Sequence, residues 1–305
     1  MALRKMDINN WLNYDKLFDS EHAAKVAMVR GPNPELYVDY LDGIDDAVLE
    51  LLETIVDYVT TRFPDMFRAD AEYVYIDHLN EKYRIREPFE LHPLAVVGLL
   101  VHDDVYVLKK GLRDLYYMRG VFLGCPSGWR VQQRIGWPLH QIHDDVPMWK
   151  EKLQRSMERF FLNLRPDKAI QRNNLFIQPV GGIFHVVPFD RQPKCTSYEQ
   201  VHIRTELQSL QRLPRSQANI FTVRTYLTPL TELRKEPEQL EALWDHVRSF
   251  PKDIAEYKCH HLWGDVSEEF CREVLGKNDP CIQADGAGGG VKEERLSEKT
   301  CPAGF

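Results

Sequence analysis

The sequence predicts an α+β fold, in which helices flank a central region rich in β-strands. Apolar residues recur at three- and four-residue spacing over residues 44–63 and again after Pro147, which is typical of amphipathic helices. Residues 219–227 instead alternate in the manner of a strand. With 43% hydrophobic and 11% aromatic residues among 305, the chain has enough apolar side chains for a substantial core.

The first half of the chain is predicted to contain two helices and short strands. Residues 44–63 form an amphipathic helix that Pro64 ends. Residues 93–108 predict a second, buried helix, because the apolar run shows no polar face for most of its length. Aromatic runs at 112–118 and 120–123 are broken by glycine and followed by Pro and Gly, which favours antiparallel strands.

The second half is predicted to contain two further helices separated by strands. The first begins at Pro147 and ends before Pro166, and the second covers residues 230–248. Strands are predicted between them, at residues 170–178, 182–187 and 219–227. Residues 1–275 are interpreted as a single domain. Residues 276–305 are glycine-rich and charged, so a disordered tail is expected.

Charge and composition exclude several classes of protein. A formal net charge of −7 disfavours a surface for nucleic acid or anionic lipid, both of which need a basic footprint. The longest apolar run, residues 94–101, is far shorter than a membrane span, and no secretory signal opens the chain. Six dispersed cysteines suit a reducing compartment. A soluble, cytoplasmic protein is expected.

Residues 136–147 carry the first candidate site. His140 and His143 lie three residues apart and precede Asp144, a pattern that suits ligands of a metal or a haem iron. The alternatives are a polar loop before a helix and a zinc hydrolase built on these three residues. Residues 259–261, Cys-His-His, lack a second ligand pair and are not interpreted as a zinc site.

Residues 202–208 carry the second candidate site. Arg204, Glu206 and Gln208 alternate, so in a strand they would share one face. Arg204 would then be available to bind a carboxylate, and Glu206 a cationic amine. The alternatives are a solvated face and a buried structural ion pair. His185 follows a glycine turn as another lone imidazole, for which a structural role is the default.

Short motifs spread along the chain together resemble the haem-dependent oxidative N-demethylase family. The resemblance covers roughly residues 3–265, and its most specific part is the pairing of an Arg–Glu–Gln block with an Arg–Leu–Pro–Arg–Ser block. The motifs are residues 3–7, 57–58, 62–64, 126–129, 134–136, 142–143, 146–149, 152–154, 159–161, 172–173, 176–178, 204–208, 212–216 and 225–226.

The resemblance implies a PAS-like core, meaning a curved antiparallel sheet surrounded by helices, with bound haem b. It implies O2-dependent oxidation of an N-methyl group on a small amine, with release of formaldehyde and the shorter amine. The resemblance also implies that the electrons come from a separate reductase that uses NAD(P)H, flavin and an iron–sulfur cluster. In agreement with this, the sequence has neither a dinucleotide-binding fingerprint nor a set of cluster-binding cysteines.

The resemblance also assigns roles to individual residues. A haem iron needs an axial ligand, for which His143 is the first choice and His185 the second, ahead of His140 and Cys125. Glu206 is the matched carboxylate and is expected to act catalytically by compensating the charge of the amine.

The remaining assignments concern the rest of the cofactor. Arg204 and Arg224 are candidates for the haem propionates, and Gln208 is grouped with them as a cofactor-binding residue.

The chain departs from the family pattern at two places in these motifs. Leu207 replaces an arginine expected beside Glu206, and Asn173-Asn174-Leu175 stands where the family has Asn-Trp. The lost arginine and the absence of fused reductase motifs favour, as an alternative, a non-catalytic haem-PAS sensor or gas-binding protein of the same fold. A third interpretation is a scaffold that has lost haem.

Overall fold

The computed structural model describes residues 3–276, which form two antiparallel sheets and surrounding helices. The strands are β1 Arg4–Lys5, β2 Val38–Tyr40, β3 Phe67–Ala69, β4 Tyr73–Ile76, β5 Glu81–Arg84, β6 Asp104–Lys110, β7 Tyr116–Phe122, β8 Ile170–Gln178, β9 His202–Arg212 and β10 Asn219–Pro229. The helices are α1 Phe18–Arg30, α2 Asp45–Arg62, α3 Pro93–Leu100, α4 Val131–Arg134, α5 Leu139–Ile142, α6 Gln154–Asn163, α7 Pro237–Arg248, α8 Lys252–Tyr257 and α9 His260–Leu275.

The large sheet has the strand order β1-β8-β9-β10-β6-β7-β2, and each neighbouring pair is antiparallel. Its centre is the long hairpin of β9 and β10, in which Glu206 pairs with Thr225 and Leu207 pairs with Arg224. Strands β3, β4 and β5 form a separate small sheet. An α+β fold with a large antiparallel sheet is therefore confirmed.

Three apolar clusters surround the large sheet. On one face, α1, α2 and α3 pack against alternate residues of the central strands such as Val105 and Ile220. On the other face, helices α4, α5 and α6 pack against Leu108 and Leu210. Helices α7 and α9 cover the end of the sheet near Ile203. Both faces of the central strands are thus buried, which explains why several of them lack a simple polar alternation.

Several of the predicted elements are confirmed. The helix predicted over 44–63 is α2, whose buried stripe has the expected periodicity, and the strands predicted at 170–178 and 219–227 are β8 and β10. Residues 202–208, which were expected to share one polar face if they formed a strand, lie in β9.

The helix predicted over 93–108 is wrong in its second half. Helix α3 ends at Leu100, and β6 begins at Asp104 and lies inside the sheet. A continuous apolar run that is buried on all sides has no periodicity to separate helix from strand, so the β-branched Val105 and Val107 were the better signal. The strand predicted at 182–187 is also wrong, since this segment makes only an isolated bridge between His185 and Ser127.

Other boundaries differ because local turns interrupt the elements. The helix predicted from residue 230 is a 3₁₀ turn followed by α7, which begins at Pro237 in the position where proline suits a helix start. The helix predicted from Pro147 begins as a π-helical turn over Trp149–Leu153 and continues as α6. The two strands predicted at 112–123 are one strand, β7, preceded by a short turn.

Two remaining expectations concern the C-terminal tail and membrane-spanning segments. The tail at 276–305 lies outside it, apart from Gly276, which ends α9 with a left-handed φ of 65°. Among the residues that are described, no helix combines the length and apolarity needed to cross a membrane.

Candidate functional site

The candidate site lies on the face of the large sheet that α4, α5 and α6 partly cover, here called the site face. Strand β9 places Arg204, Glu206 and Gln208 on this face, because side chains alternate along a strand. Across the register, Asn174 of β8 stands beside Glu206 and Phe176 of β8 stands beside Arg204.

Arg204 and Glu206 form a buried ion pair at the centre of the site. The Arg204 side chain is 1% exposed, and its Nε donates to Glu206 Oε1 at 2.9 Å. Its Nη2 donates to the carbonyl of Cys125 at 2.6 Å and to Thr225 Oγ1 at 3.2 Å, so the guanidinium is anchored to neighbouring segments on two sides. The structure therefore contains the buried ion pair between Arg204 and Glu206 that was one of the alternatives considered for this segment.

Glu206 is held ionised by its neighbours. Burial alone would raise the pKa of its carboxyl, but the charge and hydrogen bond of Arg204 outweigh burial and lower it. Oε2 accepts two further hydrogen bonds, from Asn174 Nδ2 at 3.1 Å and from Gln208 Nε2 at 2.8 Å. A carboxylate that accepts three donors is well stabilised in its charged form.

Arg172 and Lys258 bring two further cations to the site. Arg172 Nε donates to Gln208 Oε1 at 2.6 Å. The hydrogen-bonded side chains of Arg204, Glu206, Gln208 and Arg172 thus form a line along the sheet, here called the polar row. Lys258 Nζ donates to the carbonyl of Leu175 at 2.9 Å and lies 5.3 Å and 5.6 Å from the ring centroids of Phe176 and Phe250. Burial lowers the pKa of both cations, and the charge of Glu206 opposes that shift.

His143 stands at the end of α5 with one ring nitrogen committed. Its Nδ1 lies 2.7 Å from the carbonyl of Leu139, which can only accept, so Nδ1 carries the proton and Nε2 keeps its lone pair. The ring stacks on Trp149 with centroids 4.3 Å apart. Burial lowers the pKa of His143 to about 4, and the nearby charges of Arg172 and Arg134 act in the same direction.

An aromatic wall adjoins the polar row on the site face. Tyr106 of β6 lies 5.6 Å from Phe221 and 6.2 Å from Trp129, measured between ring centroids. Burial raises the pKa of Tyr106, and the charges of Asp104 and Glu206 add to the shift, so the phenol stays protonated.

The backbone is strained in the two segments that carry Trp149 and Lys258. Met148 has a φ of 56° directly before the π-helical turn, and Cys259 has a φ of 55° directly after Lys258. Non-glycine residues in this region of φ cost free energy and concentrate at functional sites, as π-helical turns also do.

The structure does not bring every predicted site residue to the site face. Arg224 points to the opposite face, where it donates to Glu21 Oε2 at 2.6 Å and to Asp15 Oδ2 at 2.7 Å. The carboxylates of Asp15 and Glu21 therefore already balance the charge of Arg224. Arg224 is therefore separated by the sheet from Arg204 and Glu206, because it pairs with Leu207 in the register of β9 and β10.

His185 and His140 each have one ring nitrogen beside a protein oxygen atom. His185 Nε2 is hydrogen-bonded to the carbonyl of Gly181 at 2.9 Å, which leaves only Nδ1 as an acceptor. His140 Nδ1 lies 3.6 Å from Glu158. No group of three or more His, Cys, Asp or Glu residues within residues 3–276 is arranged to hold a metal ion, so the predicted alternative of a zinc site at His140, His143 and Asp144 is not found.

The departures at residues 207 and 175 fall outside the polar row. Leu207 pairs with Arg224 and so projects from the opposite face, away from Glu206. Leu175 packs against the cluster beneath α7 and α9. The expectation that Leu207 removes a guanidinium from the site is therefore wrong, because side chains at 206 and 207 point in opposite directions.

Sequence reasoning missed Lys258, Tyr106 and the site role of Arg172. Arg172 had a usable signal, since it lies two residues before Asn174 on a predicted strand. Lys258 had none, because it reaches the site only through the packing of α8 and α9 against the sheet.

Comparison with known protein families gives one match to this chain. The model of a family described as haem-dependent oxidative N-demethylase, alpha subunit-like, matches residues 2–267. The match includes both sheets and all of the polar residues of the site face described above. The chain is therefore a member of the family of haem-dependent oxidative N-demethylase alpha subunit-like proteins.

Proposed function

We propose that this protein binds haem b on the site face and oxidatively demethylates a small N-methylated amine with O2. The products are formaldehyde and the shorter amine, and the electrons come from a separate reductase that uses NAD(P)H, flavin and an iron–sulfur cluster. Membership of the demethylase family supports haem-dependent chemistry of this kind.

The observation that carries the proposal is the state of His143. An axial imidazole must be neutral, with one nitrogen free for the iron and the other oriented by an acceptor. His143 meets these conditions, since Nδ1 donates to Leu139 and Nε2 has no hydrogen bond to any described residue. Its lowered pKa of about 4 keeps the ring neutral at physiological pH.

The surrounding residues fit the rest of the cofactor. The site combines an aromatic wall of Tyr106, Trp129 and Phe221 with two cations, Arg172 of β8 and Lys258 at the end of α8. This suits an apolar macrocycle with anionic substituents. When bound, haem would supply the iron chemistry that activates O2.

The role of Glu206 follows from its hydrogen bonds. Because Arg204 keeps it ionised, Glu206 fixes the amide groups of Asn174 and Gln208 and sets a negative charge on the site face. We infer that this charge compensates the charge of a bound amine, while the Arg204 guanidinium holds the carboxylate in place through its bonds to Cys125 and Thr225.

The same hydrogen bonds favour a second candidate, a haem protein that binds a gas without turnover. All three donors to Glu206 come from the protein itself, and its charge is already matched by Arg204. A carboxylate that is already paired and hydrogen-bonded attracts an ammonium substrate less strongly than an unpaired carboxylate does.

Absorption spectra of the purified chain reconstituted with haem test the ligand. We expect His143→Ala to lose or shift the Soret band, and His185→Ala to retain the wild-type spectrum. An unchanged Soret band in His143→Ala would remove the assignment of this ligand.

Turnover assays separate the two candidate functions. With a surrogate reductase, NADPH, O2 and dimethylamine, formaldehyde release at a rate above that of a Glu206→Ala variant supports the demethylase. Tight binding of CO or O2 without formaldehyde supports the gas-binding protein. A chain that stays colourless after growth with a haem precursor would contradict both.

A further inference from the structure

Arg172 and Lys258 are cations without an ionic partner in the described part of the chain. Arg204 is paired with Glu206 and Arg224 with Asp15 and Glu21, whereas neither Arg172 nor Lys258 approaches a carboxylate closely enough for an ion pair. Arg172 spends Nε on Gln208, and Lys258 spends one of its three protons on the carbonyl of Leu175. Both therefore keep donors for a ligand.

Both cations are also partly removed from water. Neither residue is exposed, and burial lowers the pKa of each. A partly buried charge without a counter-charge is costly, and an anion placed beside it recovers that free energy. The charge of Glu206 acts on both cations from a distance, but Glu206 forms an ion pair with neither, and its oxygens accept hydrogen bonds from Arg204, Asn174 and Gln208.

We propose that Arg172 and Lys258 bind the two propionates of the haem, in place of Arg204 and Arg224. The inference rests on the proposed function and assigns the carboxylate-binding groups of the same site. Arg204 is excluded because it is committed to Glu206, Cys125 and Thr225, and Arg224 because it lies on the opposite face. Two unpaired cations on the site face match two carboxylates in charge and in number.

The test compares haem with haem dimethyl ester, in which both carboxylates are blocked. The dissociation constants are measured by absorption titration of the full chain. We expect the wild type to bind haem at least about 100-fold more tightly than the ester, since two charge-assisted contacts are lost. This comparison needs no variant, so it holds even if a substitution impairs folding.

The variants Arg172→Met and Lys258→Met assign the effect to residues. Each is expected to weaken haem binding about 10- to 100-fold and to change binding of the ester less than about threefold. Lys258→Arg should stay near the wild type. Lys252→Met is the matched control, because Lys252 lies on α8, the short helix that ends directly before Lys258, and its side chain is 91% exposed.

The outcomes distinguish this inference from the proposed function. Equal affinity of the wild type for both porphyrins, or equal weakening of both in the variants, would overturn the assignment while leaving haem binding intact; that result is also expected if the two cations bind a carboxylate of the substrate. Failure of the wild type to bind either porphyrin would overturn the proposed function and this inference with it.

Discussion

Removal of the Arg204 guanidinium tests the electrostatic account of the site. In Arg204→Met the carboxylate of Glu206, whose side chain is 11% exposed, loses its only ion pair within the described residues. Breaking a buried pair by removing one partner costs about 3–5 kcal/mol in the free energy of unfolding. The exposed pair of Arg165 and Asp167 provides the control, since Arg165→Met should cost less than about 1 kcal/mol.

The pH dependence of the loss is the sharper signature. In the wild type the pKa of Glu206 lies below its ordinary 4.5, so its contribution to stability is present above that pH and is lost as the pH falls. Without Arg204, burial dominates and raises the pKa, so the folded state binds a proton that the unfolded state releases. Stability of the variant should then decrease as the pH rises above about 5, by at most about 1.4 kcal/mol per pH unit.

Urea unfolding at several pH values between 5 and 8 measures both effects. We expect the difference between Arg204→Met and the wild type to grow with pH, and the double variant Arg204→Met/Glu206→Gln to recover part of the loss because the buried charge is gone. A loss that is no larger than that of Arg165→Met, or that does not vary with pH, would refute this reasoning.

Three further predictions concern stability away from this pair. Lys25→Met should lower the free energy of unfolding in urea by at least about 3 kcal/mol, because the buried Lys25 ammonium donates to four backbone carbonyls, whereas Lys252→Met should change it by less than about 0.5 kcal/mol. The neutral, buried ring of His143 should destabilise the folded state as the pH falls from 6.5 towards 4, and His143→Phe should remove about 2–3 kcal/mol of that pH dependence, measured by urea unfolding at pH 7 and pH 4.5. Trp11→Phe should cost about 1–3 kcal/mol in thermal or urea unfolding, because the buried Thr222 hydroxyl loses the indole N–H that donates to it at 3.2 Å; no change in stability would show that this bond contributes nothing.

Local periodicity was sufficient for the parts of the fold in which one side of an element differs chemically from the other. Helix α2 has an apolar stripe, so it was predicted. For β9 the sequence indicated only that Arg204, Glu206 and Gln208 would share a face if they lay in a strand, which they do. Periodicity failed for β6, because a strand buried on both faces is as uniformly apolar as a buried helix.

For the candidate site, too, the sequence determined the features that depend on one strand, and the tertiary structure determined those that depend on distant segments. The alternation along β9 by itself determined that Arg204, Glu206 and Gln208 share a face, and the residue types indicated an ion pair. Only the tertiary structure decided that Arg224 projects from the other face, that Arg204 is already neutralised, and that Lys258 reaches the site. The physical reason is that alternation is set by the covalent geometry of one strand, whereas the partners of a charge are set by which distant segments pack over it.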